Sequence, residues 1–132
     1  MKLRLRGNSI RVRLTQAEVN ALDQNGCCED AAEFGSMLTP RLVYRVEAAS
    51  RPSAGMSVSG LDTVVKVTLP RTEIATWANG SDVGIYFEEP WGLKVAVEKD
   101  FRCLDEKRDE DESDNFENPN TASSLHDACH SD

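Results

Sequence analysis

The stretch Lys2-Leu3-Arg4-Leu5-Arg6-Gly7-Asn8-Ser9-Ile10-Arg11-Val12-Arg13-Leu14-Thr15-Gln16-Ala17-Glu18-Val19 decides how the rest of the chain is read. Leu3 and Leu5, then Ile10, Val12 and Leu14, alternate with lysine and arginine, which is the period of a strand with one buried face. Gly7-Asn8 between the two runs is a two-residue hairpin loop. Such a loop fixes the register: Arg6 opposite Ser9, Leu5 opposite Ile10, Arg4 opposite Arg11, Leu3 opposite Val12, Lys2 opposite Arg13. The apolar residues then share one face, and Lys2, Arg4, Arg6, Arg11 and Arg13 share the other.

Thr15-Gln16-Ala17-Glu18 is a capping box, in which the threonine hydroxyl and the glutamate carboxylate satisfy backbone amides at a helix start. Val19 and Leu22 form the buried stripe. Asn25-Gly26 ends the helix, glycine supplying the left-handed closing residue. A strand through Phe34 and a clearer one from Leu42 to Ala48 follow.

The plan then recurs. Val12-Arg13-Leu14-Thr15-Gln16-Ala17-Glu18-Val19 is echoed 55 residues on by Val67-Thr68-Leu69-Pro70-Arg71-Thr72-Glu73-Ile74, Leu22 by Trp77, and Asn25-Gly26 by Asn79-Gly80. Met56 and Val58 stand where Leu3 and Leu5 stood; Val95, Val97 and Glu98 parallel Tyr44, Val46 and Glu47. Pro70 suits a helix start, where a missing amide hydrogen costs little. The expected fold is α+β: a duplicated strand-strand-short helix-strand-strand unit, residues 1–50 and 51–100, forming a largely antiparallel sheet or a partly closed barrel with pseudo-two-fold symmetry.

Charge divides the chain differently. The whole carries −8 over 132 residues. Residues 1–100 hold 12 Lys/Arg against 13 Asp/Glu, and residues 101–132 hold 3 against 10, so the acidity belongs to the tail. The expected organisation is one domain over residues 1–104 and an acidic, disordered or loosely docked tail over 105–132, where Leu104, Phe116 and Leu125 are too few to offset the entropy of ordering. The overall sign argues against a protein that coats nucleic acid or membranes. The first residues contain no apolar signal region and no window approaches the length of a spanning helix, so the expected location is the cytoplasm. There the four cysteines are expected as reduced thiols, with Cys27 and Cys28 as small packing residues.

Residues 1–100 contain no histidine, and no nucleophile elbow, phosphate loop or dinucleotide fingerprint occurs. Glu47 and Glu98 would serve as an acid/base pair only if they faced each other in a cleft, so no enzyme activity and no catalytic residue is assigned. The basic hairpin face is the stronger feature. Like charges directly across a strand pair are destabilising. Three compensators fit: an acidic neighbour such as Glu47 on an adjoining strand, the tail from Asp105 to Glu117 with Asp109, Glu110, Asp111, Glu112 and Asp114 at its centre, or an external partner that is acidic, phosphate-bearing or a nucleic acid, although five cations without an interleaved aromatic do not make a nucleic-acid motif. The acidic run is not an EF-hand, because Asp114 occupies the glycine position and Asn120 the bidentate glutamate position. No cofactor is expected on this reading. The alternative is a Zn²⁺ site built from Cys103, His126, Cys129 and His130, although their spacing matches no established zinc module.

The opening segment from Lys2 to Val19 resembles the start of a family of small uncharacterised bacterial proteins. Val97-Glu98-Lys99-Asp100-Phe101-Arg102-Cys103-Leu104, with Glu110-Asp111-Glu112-Ser113-Asp114-Asn115-Phe116 and Asn118-Pro119, resembles that family's C-terminal signature. The resemblance spans roughly residues 2–119. It implies that Cys103 and the acidic segment belong to the family pattern, and it brings no activity or cofactor. His126 to His130 lie outside it. The reading is a non-catalytic binding or regulatory module whose hairpin face engages an anionic group or the chain's own tail.

Overall fold

A computed structural model describes residues 1–35, 41–101, 114, 116 and 117. The chain divides into one compact unit, Met1–Asp100, and a second, Phe101–Asp132. In the second, Phe101, Asp114, Phe116 and Glu117 are exposed.

The first unit contains β1 (Lys2–Leu5), β2 (Ser9–Leu14), α1 (Gln16–Asn25), β3 (Cys27–Glu33), β4 (Arg41–Ala49), β5 (Ser53–Ser59), β6 (Asp62–Pro70), α2 (Arg71–Asn79), β7 (Gly84–Glu88) and β8 (Lys94–Lys99). The β1–β2 register is the one the loop length dictates, from Lys2↔Arg13 to Leu5↔Ile10. Arg6 and Ser9 close it with reciprocal backbone bonds of 3.2 and 3.1 Å. At α1 the Thr15 hydroxyl accepts from the Glu18 amide at 3.3 Å while the Thr15 amide donates to Glu18 Oε1 at 2.9 Å. Gly26, at φ 84°, ends the helix in the left-handed region.

The strands form two separate four-stranded sheets, β1-β2-β8-β7 and β3-β4-β6-β5. This corrects the expectation of one largely antiparallel sheet or a partly closed barrel. Each sheet is mixed, because β2 pairs with β8 in parallel and β4 pairs with β6 in parallel. Hairpins supply the antiparallel pairs locally, whereas the parallel pair at the centre of each sheet joins strands that no hairpin can connect. Neither sheet closes on itself, since β1 and β7 end one and β3 and β5 the other.

One core joins all the layers. Val12, Leu14, Val95 and Val97 come from the first sheet, Cys28, Val46, Ala54, Val67 and Leu69 from the second, and Val19, Leu22, Ile74 and Trp77 from the helices. Trp77 is buried and satisfies its indole by donating to the Val83 carbonyl at 3.1 Å. The two helix ends differ. Pro70 is the N-cap of α2 without a side-chain bond, and Gly80 closes that helix at φ −111° rather than in the left-handed region. Gly80 is required by space, since a Cβ there would lie 2.7 Å from the Thr76 carbonyl oxygen.

Candidate functional site

Registers place the outer face of the first sheet in three rows. The first runs Lys2, Arg13, Glu98, Gly84; the second Arg4, Arg11, Ala96, Tyr86; the third Arg6, Ser9, Lys94, Glu88. Lys2, Arg4, Arg6, Arg11 and Arg13 therefore share one face, joined by Lys94.

The carboxylate nearest the centre is Glu98, 9% exposed, on the strand beside β2. Its Oε1 lies 3.2 Å from Arg11 Nε and 3.8 Å from Arg13 Nε, and its Oε2 accepts from the Tyr86 hydroxyl at 2.6 Å. Lys2 Nζ lies 3.1 Å from Asp100, just past the same strand. The acid on the adjoining strand is thus Glu98, whereas Glu47, the residue named from sequence, lies on the other sheet.

Gly84 makes the Glu98 contact with Tyr86 geometrically available. It sits directly across from Glu98, and a Cβ on it would meet the Val97 carbonyl oxygen at 2.7 Å, Glu98 Cγ at 2.8 Å and the Tyr86 hydroxyl at 3.0 Å. The missing side chain leaves the space that the carboxylate and the hydroxyl occupy. Tyr86, Gly84, Lys94 and Asp100 escaped the sequence reading. The signal that leads to them is the parallel pairing of β2 with β8, which no local pattern announces.

The second sheet's outer face is balanced by contrast. Arg45 Nε binds Glu47 at 2.8 Å and its Nη1 lies 3.5 Å from Glu29; Lys66 lies 3.3 Å from Glu47; Arg41 binds Asp62 with both Nε and Nη2, at 3.0 and 2.9 Å. The hydrogen bond from Arg45, with support from Lys66, holds the Glu47 carboxyl below its ordinary range. Arg41 does the same for Asp62. Glu47 and Glu98 occupy different sheets, each bound to its own cations. A groove of about 410 Å³ beside α2 and β7 is lined by Glu73 and Asp82 with Thr72, Thr76, Gly84 and Tyr86, so its charge is opposite to that of the hairpin face.

Of the other residues singled out, Asp114 is described and exposed. Asp109, Glu110, Asp111, Glu112, Cys103, His126, Cys129 and His130 lie outside the described residues. Among the described residues no group of three His, Cys, Asp or Glu is placed to hold a metal ion, and no helix is long and apolar enough to cross a membrane. Burial pushes the Cys28 thiol up to about 11, with the nearby Glu18 and Cys27 adding to the shift.

Fold and face together define a small α+β module, two mixed sheets over a shared core, with one outer face rich in cations. The chain belongs to the family of unknown function DUF7009, whose profile matches residues 1–120. No curated protein and no solved structure matches it.

Proposed function

We propose that the protein is a non-catalytic binding module whose ligand is an anionic group held on the outer face of the β1-β2-β8-β7 sheet. The observation that carries this reading is the registered surplus of positive charge. Among the described residues, Lys2, Arg4, Arg6, Arg11, Arg13 and Lys94 share the face with Glu88, Glu98 and Asp100, six cations against three carboxylates. The second sheet, with the same strand plan, carries Glu29, Glu33, Glu47 and Asp62 against Arg41, Arg45 and Lys66. A cationic surplus is therefore not something this kind of sheet needs in order to form. The acidic segment around residues 105–117 acts on this reading as an internal competitor for the same face, which makes the module self-limiting.

The same reading takes the two halves as copies of one unit. In its support, replacing β1, β2, β3 and β4 by β5, β6, β7 and β8, and the reverse, converts the order of one sheet into that of the other. The contact of Arg11 with Glu98 at 3.2 Å has its counterpart in that of Lys66 with Glu47 at 3.3 Å. Arginine in place of lysine or threonine on one copy then marks where that copy acquired its ligand.

The test is binding of a fluorescent heparin oligosaccharide at 50 and 200 mM salt. Removing residues 105–132 is expected to raise affinity at least tenfold at the lower salt, with a steep loss at the higher one. Arg4→Glu combined with Arg6→Glu abolishes the gain. No binding by the shortened chain, or binding indifferent to these charges, rejects the reading.

A further inference from the structure

We propose that β5 is a docking edge for a second copy of this chain, pairing with its own counterpart in antiparallel fashion about a two-fold axis at Ser57. This rests on the second sheet and is independent of the anion face.

Edge strands present unpaired backbone groups, and proteins blunt them with charge. β1 carries Lys2 and Arg4, β3 carries Glu29, Asp30 and Glu33, and β7 carries Glu88, whereas β5 reads Ser53-Ala54-Gly55-Met56-Ser57-Val58-Ser59 with no charge at all. A two-fold partner brings each residue near its own kind. Only an edge without charge meets its copy without repulsion, and β5 is that edge among the four.

Hydrogen bonding then selects a register. The Ala54 amide donates to Glu89 Oε1 at 3.0 Å rather than to β6, so it points away from the sheet. Alternation along an antiparallel pair turns Met56 and Val58 the same way and directs the backbone groups of Gly55, Ser57 and Ser59 toward their partners Lys66, Val64 and Asp62 on β6. Glu89 is buried. It closes the Ala54 end of the edge and, among the described residues, leaves Met56 and Val58 as the available rungs. Pairing Met56 with Val58 of the second copy, and Val58 with its Met56, makes four backbone bonds and leaves the Glu89 bond intact.

The side chains agree with that register. Met56 and Val58 are 73% and 74% exposed, and pairing sets each against the other across the axis. On the opposite face Ser57 meets Ser57, and Gly55 meets Ser59. Such a contact is smaller than the roughly 800 Å² per partner of a standard interface, so the dimer forms at tens to hundreds of micromolar.

Analytical ultracentrifugation of the full chain from 5 µM to 1 mM is expected to show the average mass rising toward that of a dimer. Met56→Lys should hold the mass at the monomer value throughout while circular dichroism remains unchanged. A second variant needs no loss of binding. In a Cys27→Ser, Cys103→Ser, Cys129→Ser background, Ser57→Cys faces its copy at about 4.5 Å between Cα atoms, within disulfide reach, and diamide should convert it to a reducible dimer, whereas Ser53→Cys should stay monomeric. A monomer at 1 mM, or equal crosslinking of the two cysteine variants, overturns the proposal. So does a chain that dimerises only after residues 105–132 are removed, because the tail would then be the edge's occupant.

Discussion

Tyr86 reaches Glu98 because residue 84 has no side chain: the hydroxyl lies 2.6 Å from the carboxylate, over the glycine directly across from it. Gly84→Ala forces a Cβ against the Val97 carbonyl oxygen and Glu98 Cγ, at 2.7 and 2.8 Å. The expected cost is about 1–3 kcal/mol, read as a melting temperature lower by roughly 5–15 °C. An unchanged melting curve would mean that the face does not depend on this close approach.

Glu98→Gln separates stability from binding. Arg11 and Arg13 lose a shared anionic partner and Tyr86 a charged acceptor, at about 1–3 kcal/mol in denaturant unfolding. Affinity for the heparin probe rises in the same variant, because the face loses its most central negative charge. A variant that is both less stable and weaker in binding would contradict the anion reading.

The pH dependence of the other sheet follows from Glu47. Its carboxyl is held below the ordinary value of 4.5 by the Arg45 hydrogen bond and by Lys66. The pairing stabilises the fold fully above the unfolded value, and that contribution is lost as pH falls through the lower folded value. Glu47→Gln should cost under about 1 kcal/mol at pH 7, since the pair is solvent-screened, and nothing below the folded value. Urea titrations of both proteins at pH 7 and in strong acid test the convergence.

Cys28 should resist alkylation. With its thiol pushed up to about 11 by burial, about a thousandth is thiolate at pH 8, against roughly a quarter for a free thiol near 8.5. Iodoacetamide followed by peptide mass mapping is expected to label Cys28 at least about a hundredfold more slowly in the native protein than in 8 M urea. Equal rates would show that the strand opens readily.

Local signals were legible in the sequence wherever the physics is local. The Gly7-Asn8 loop fixed five register pairs, and Thr15 with Glu18 marked the start of α1. The same loop length sets Arg4 across from Arg11 and Lys2 across from Arg13. What the sequence could not announce was which hairpin lies beside which. Val95, Val97 and Glu98 alternate correctly for a strand, yet nothing near them says that this strand runs parallel to β2 and brings Glu98 to Arg13. Glu47 suits the role of an acidic neighbour on an adjoining strand, but the long-range pairing of β2 with β8 gives that role to Glu98. Gly84 and Glu89 were missed for the same reason: each acts on a partner from a distant segment. Gly80 differs from Gly26 because the approach of Thr76, not a left-handed turn, calls for glycine there.

Neither sheet belongs to one half of the chain. The first is built from β1 and β2 with β7 and β8, the second from β3 and β4 with β5 and β6, so a break between residues 49 and 53 leaves two fragments that each own half of both sheets. Each fragment keeps its own hairpin ladders, but the parallel ladder at the centre of each sheet, β2 with β8 and β4 with β6, and the shared core need both. The two pieces are therefore natural halves for a complementation pair, expected to complete both sheets and the core only on meeting.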